Sequence, residues 1–114
     1  MITIYHNPRC GKSRQTLALI QAAGQEPQVI EYLKTPPTVT ELDSLLKKLN
    51  MEPRDLMRKG EEIYRELKLA EKELSRDEAL ELLAAHPKLI ERPIVVKGRQ
   101  AVLGRPPENV NALL

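Results

Sequence analysis

With 114 residues, the chain has room for one domain with a modest core. Its 18 basic and 16 acidic side chains leave a net charge of +2, scattered in both signs, which excludes the basic, aromatic-studded face of a nucleic-acid binder. The only aromatics are three tyrosines, the single cysteine excludes an internal disulfide, and no apolar run reaches the length of a membrane span.

Ile2-Thr3-Ile4-Tyr5 reads as a strand that starts directly after Met1, so no signal peptide is expected. The loop His6-Asn7-Pro8-Arg9-Cys10-Gly11-Lys12-Ser13-Arg14 follows. After it, Leu17, Ile20 and Ala23 share one face of a helix that ends at Gly24. Cys10 therefore falls at a helix start, where unpaired N–H groups and the helix dipole stabilise a thiolate and lower the thiol pKa. Arg9, Lys12, Arg14 and a protonated His6 would add positive charge, and the same loop would cradle a tetrahedral oxyanion. A lone cysteine is more often a small buried hydrophobe. Cys10 differs because Arg9 and Gly11 flank it in a basic loop, so it reads as a reactive thiol suited to a reducing compartment, and a cytoplasmic protein is expected. Any resolving thiol must come from another molecule.

Val29 to Leu33 predicts a second strand, parallel to the first through a right-handed crossover. From about residue 38 to 86 the pattern is almost wholly helical. Thr38 and Glu41 form a capping box before Leu42, Leu45, Leu46 and Leu49, and Asn50 ends that helix. Pro53 to Lys59 reads as a helix stopped by Gly60, and Glu62 to Leu67 as another. Ser75 and Glu78 form a second capping box, for a helix ending before Pro87. Pro93–Lys97, the turn Gly98-Arg99 and Gln100–Leu103 predict an antiparallel hairpin, and Glu108 to Leu114 a terminal helix. The expected fold is α/β: one domain over residues 1–114, a four-stranded mixed sheet with flanking helices and a helical insertion between strands 2 and 3. Metal binding is not indicated, since His6 and His86 are far apart and one cysteine completes no ligand set.

Cys10-Gly11-Lys12-Ser13 at a helix start, Arg92-Pro93 opening the third strand, and the βαβ…ββα order together resemble the thioredoxin fold. More narrowly, they resemble the glutaredoxin-coupled arsenate reductase (ArsC) family. The resemblance spans nearly the whole chain. It runs through Ile4-Tyr5-His6-Asn7-Pro8-x-Cys10-x-x-Ser13-Arg14-x-Thr16-Leu17 and Tyr32-Leu33-x-Thr35-Pro36-Pro37. It continues in Leu56-x-Arg58-Lys59 and Tyr64-x-Glu66-Leu67-x-Leu69-Ala70, and ends in His86-Pro87-x-Leu89-Ile90-x-Arg92-Pro93-Ile94-Val95-Val96 and Gly104-Arg105-Pro106. The chain stops soon after Arg105, without the C-terminal extension of the best-known members, and its loop is more basic. In these traits it resembles the short YfgD-like branch.

The resemblance implies that Cys10 is the nucleophile and that His6 helps to depress its pKa. It implies that Arg58, Arg92 and Arg105 bind the oxyanion, with Ser13 and Arg14 as further donors, and that Pro93 is the cis-proline beside the thiol. Guanidinium groups suit this role because their planar donors pair bidentately with oxyanions and stay charged. The implied activity is reduction of arsenate, or a similar oxyanion, to arsenite, with glutathione as co-substrate, glutaredoxin as partner and no tightly bound cofactor. The alternative is a glutathione-dependent thiol oxidoreductase on the same site without arsenate turnover. A regulator similar to Spx-type proteins that bind RNA polymerase ranks last, because Ser13 replaces the second cysteine of their redox switch. A low-molecular-weight phosphatase loop would need arginine where Thr16 stands.

Overall fold

A computed structural model describes residues 1–114. The chain divides into two compact units, one of Met1–Thr35 with Arg92–Leu114, the other of Pro36–Glu91.

The first unit is built on a four-stranded mixed sheet. Its strands are β1 (Ile2–His6), β2 (Gln28–Glu31), β3 (Ile94–Lys97) and β4 (Gln100–Leu103), in the order β2-β1-β3-β4. β1 pairs in parallel with β2, with His6 opposite Glu31, and antiparallel with β3, with Tyr5 opposite Ile94. The β3–β4 hairpin turns at Gly98, whose φ of 61° lies in the region glycine enters without Cβ strain. Alternation along β1 buries Ile2, Ile4 and His6. Ile2 and Ile4 form a core with Val95, with Ile20 of helix α1 (Gly11–Ala22), and with Val110 and Leu113 of a terminal 3-10 stretch, Pro107–Leu113. This set of β-branched and leucine side chains carries the apolar burial that holds the unit together.

Three local expectations change here. β2 ends at Glu31, because its carbonyl accepts the N–H groups of both Lys34 and Thr35 in a turn. The C-terminal segment is 3-10 rather than α-helical. The buried stripe of α1 is Ser13, Thr16 and Ile20, while Ala23 is exposed and Leu17 half-buried. Two buried polar residues on a helix face signal a polar environment rather than a greasy contact.

The second unit holds α2 (Val39–Leu49), a 3-10 turn at Pro53–Leu56, α3 (Glu62–Glu66), and α4 (Arg76–Ala85). Both capping boxes form: the Thr38 hydroxyl accepts the Glu41 N–H and the Ser75 hydroxyl accepts the Glu78 N–H, each at 3.1 Å. Leu42, Leu45 and Leu46 of α2 are buried, as are Ala79, Leu80 and Leu83 of α4, and these two helices pack together. Asn50 closes α2 with a left-handed φ of 56°. The helix expected over Pro53 to Lys59 stops at Leu56. Met57 is extended and bridges Ile90 in antiparallel fashion, with the Arg58 N–H donating to the Leu89 carbonyl at 2.7 Å and the Glu91 N–H to the Leu56 carbonyl at 2.8 Å. A partner more than thirty positions away captures these backbone groups, and local propensity yields to it. No helix is long and apolar enough to cross a membrane.

Candidate active site

Cys10 is the N-cap residue of α1, extended at φ −91° and ψ 122°, and partly exposed. Its own N–H donates to the Asn7 carbonyl at 3.0 Å, and its carbonyl accepts the Arg14 N–H at 3.0 Å. The loop is tied from inside by Asn7, which is 7% exposed. The Asn7 side-chain oxygen accepts the Arg9 N–H at 3.0 Å, and the Asn7 N–H donates to the Ser13 hydroxyl at 3.0 Å. Arg14 braces the outside by donating from Nη1 to the Pro8 carbonyl at 3.0 Å. Arg9 and Lys12 are exposed.

Burial is the largest influence on the Cys10 thiol and pushes its pKa up. It is outweighed by hydrogen bonds from the Ser13 N–H, from the Arg92 guanidinium and from the Lys12 N–H, together with the Arg92 charge. The pKa is lowered overall. The helix start and one arginine thus stabilise the thiolate together.

His6 requires a correction. It is 6% exposed, and burial holds its pKa below the usual 6.5; Glu31 opposes this and Arg14 adds to it. The ring is therefore neutral at physiological pH and supplies no positive charge to the sulfur. Its Nδ1 lies 2.6 Å from the Ser13 hydroxyl. That hydroxyl also accepts the Asn7 N–H and keeps a proton that it can donate to Nδ1 when the ring carries its own proton on Nε2. His6 fixes Ser13, and Ser13 presents its N–H to the thiolate.

The sign of the pH effect follows. The unfolded chain protonates His6 more readily than the folded one, so this contribution to stability is intact above the usual value of 6.5 and is lost as the pH falls below it. Urea unfolding at several pH values should show stability falling on acidification through that range. His6→Gln should flatten the fall, and an unchanged slope would contradict the assignment.

Arg92 lies two residues before β3, which starts at Ile94, and the Arg92–Pro93 and Arg105–Pro106 peptides are both cis. Arg105 is exposed, and its Nη1 lies 3.4 Å from the Arg92 carbonyl, so the two residues are neighbours. The first unit thus brings together Cys10, His6, Ser13, Arg14, Arg92, Pro93 and Arg105. Arg58 belongs to the second unit. There its Nε pairs with Glu61 at 3.3 Å and its Nη1 with Glu91 at 3.1 Å, partly buried.

Several contributors to this region carry no role in the sequence reading. Asn7 has the loop role just described. Tyr32 is 1% exposed, and burial raises the pKa of its hydroxyl, with Arg92 and Asn7 beside it opposing the rise. Thr16 is fully buried and donates to the Lys12 carbonyl at 2.8 Å. Thr16 also packs on Gly104. A Cβ at Gly104 would press on Thr16 Oγ1 closer than real contacts allow and would stand 2.7 Å from Pro93 Cγ. Gly104→Ala is accordingly expected to cost about 1–3 kcal/mol of stability by forcing α1 and the Pro93 segment apart. Denaturant unfolding measures this, and a neutral result would show that the segment yields easily. The sequence signals were two polar residues on the inner face of α1 and a glycine just before Arg105-Pro106.

The ArsC family model matches residues 5–113. The chain belongs to the ArsC family. It is 50% identical over 110 residues to the uncharacterized protein YfgD of Escherichia coli K12, covering 96% of this chain and 92% of that one. It is 48% identical over 113 residues to the arsenate reductase of the same organism, covering 99% of this chain and 80% of the relative. Among solved structures, an arsenate reductase from Vibrio cholerae is similar with a TM-score of 0.95 and 54% identity, covering 99% of this chain and 97% of that one. The fold is therefore the thioredoxin-like fold of this family.

Proposed function

We propose that this ArsC family member reduces arsenate to arsenite, with Cys10 as nucleophile and with glutathione and glutaredoxin as external reductants. The observation that carries the reading is the environment of Cys10, whose thiolate is stabilised by the Ser13 and Lys12 N–H groups and by Arg92 within an ArsC family fold. Arsenate reductases among the relatives support the substrate class.

Arg92, Arg105 and the loop N–H groups hold the tetrahedral anion. Ser13 and Arg14 complete the loop, His6 positions Ser13, and Pro93 shapes the floor beside the thiol. The Cys10 thiolate attacks arsenic, an S–As bond forms, and one arsenate oxygen leaves as water after protonation. A glutathione thiolate then attacks the Cys10 sulfur. The S–As bond breaks, its electron pair goes to arsenic, and As(V) becomes As(III) while the two sulfurs are oxidised to a mixed disulfide. A glutaredoxin thiol removes the glutathione and restores Cys10. In sum, arsenate and two thiols give arsenite, a disulfide and water. One cysteine suffices because the second thiol is imported.

The test is arsenate-dependent NADPH oxidation, coupled through glutathione, glutaredoxin and glutathione reductase. Turnover that requires all components is expected. A folded protein with a reactive thiol that reduces glutathione mixed disulfides but ignores arsenate would shift the assignment to a thiol oxidoreductase on the same site.

A further inference from the structure

Within Pro36–Glu91 an open cavity of 690 Å³ is lined by Arg54, Asp55, Lys59 and Tyr64, among others. A second cavity of 270 Å³ shares Lys59 and Tyr64 with it and adds Arg65, Lys68 and Glu71. None of these residues belongs to the Cys10 loop, and the activity proposed above gives none of them a role.

Four cations face two carboxylates around this joint space, an excess of two positive charges. The pairing pattern is more telling than the count. Elsewhere in the unit Lys47, Arg58 and Arg76 each meet a carboxylate. Arg54, Lys59, Arg65 and Lys68 meet none. Arg54 is fixed in place by Nη2, which donates to the Leu69 carbonyl at 2.8 Å and to the Lys72 carbonyl, while its buried Nη1 has no hydrogen bond. Carbonyls orient this guanidinium without neutralising it. Asp55 forms no ion pair with it, and one of its oxygens accepts the Glu52 N–H at 3.1 Å in a capping interaction. A concave wall with an excess of positive charge concentrates anions. Lys59 and Lys68 are exposed, so their ammonium groups can swing onto a ligand.

The space is larger than a bare oxyanion needs and falls in the size range of small-molecule sites. The half-buried Tyr64 ring, common to both cavities, supplies a surface for an uncharged part. We propose that this cavity binds a small organic polyanion through its phosphate or carboxylate groups, with the rest of the ligand lying against Tyr64.

Amide shifts in 15N-labelled protein, titrated separately with ADP and with citrate, test this. Saturable shifts at Lys59, Tyr64 and Lys68 are expected, with Kd below about 1 mM. Lys59→Gln with Lys68→Gln should weaken binding at least about tenfold by removing two charged contacts. The surface control, Lys34→Gln with Arg99→Gln, should leave binding unchanged. Saturation by ADP alone would assign a phosphate ligand, and by citrate alone a carboxylate ligand. Shifts that grow without saturation, that stay confined to the Cys10 loop, or that weaken equally in both double variants would overturn the proposal. Because binding is read directly, this result is independent of whether the protein turns over arsenate. All four substituted residues are exposed, so folding should be unaffected, and thermal unfolding checks that.

Discussion

Cys10→Ser is expected to lower arsenate-dependent turnover by about three orders of magnitude or more, leaving only background reaction between arsenate and glutathione. A serine hydroxyl is not ionised at neutral pH, and the N–H groups and guanidinium that stabilise a thiolate cannot bring it into range. Nor can an oxygen nucleophile form the S–S bond through which, in the proposed reaction, two electrons reach arsenic. The protein should still fold, because Cys10 makes no side-chain cap and is only partly buried. Equal thermal unfolding midpoints beside lost turnover would show that the defect is chemical. A variant with wild-type turnover would end the assignment of Cys10 as nucleophile. Alkylation of the wild-type thiol should be faster at neutral pH than that of an unperturbed cysteine, because more of it is thiolate.

Arg92→Ala has the next largest expected effect, on two separable quantities. The guanidinium lowers the Cys10 pKa by hydrogen bond and by charge, while burial raises it. Removing Arg92 leaves burial opposed only by the Ser13 and Lys12 N–H groups. The thiol pKa should therefore rise, and the acid limb of the rate profile should move to higher pH with it. The thiolate absorbance in the ultraviolet measures the first, and initial rates the second. Turnover at neutral pH should fall about a hundredfold, since the oriented charge proposed to hold the reacting anion is lost as well. Raising the pH should recover only the part due to ionisation. Arg92→Lys should keep more of the low pKa than of the turnover, because an ammonium provides charge without a planar pair of donors. An acid limb that stays in place in Arg92→Ala would assign the thiolate's stabilisation to the helix start alone.

His6 shows where chemistry read from residue type needs a structure. Its place four residues before the thiol suggests a cation at the sulfur. The fold buries it under the loop, opposite Glu31, and desolvation outweighs that carboxylate. What reaches the thiol is order, passed through the Ser13 hydroxyl, rather than charge. Arg58 shows the same dependence. Its number can be carried over from a family motif, but its setting between Glu61 and Glu91 arises from a backbone bridge between Met57 and Ile90 that no local pattern announces.

The sequence by itself determined the features whose partners lie close along the chain. These are the strand into the Cys10 loop, the helix that starts there, the capping boxes at Thr38 and Ser75, and the hairpin turn at Gly98. The capping boxes rest on a side chain meeting backbone three positions away, the hairpin turn on the conformational freedom of Gly98, and the strand and the helix on the residue types of their own segments. Only the tertiary structure decided the features set by distant groups. Met57 left its helix for a partner at Ile90, β2 stopped short of Tyr32, and Ser13 and Thr16 turned inward. Arg92, more than eighty positions after Cys10, came to hydrogen-bond its thiolate because β3 pairs beside β1. Burial and strand pairing are properties of the assembled chain, and they set which side chains are charged and which atoms meet.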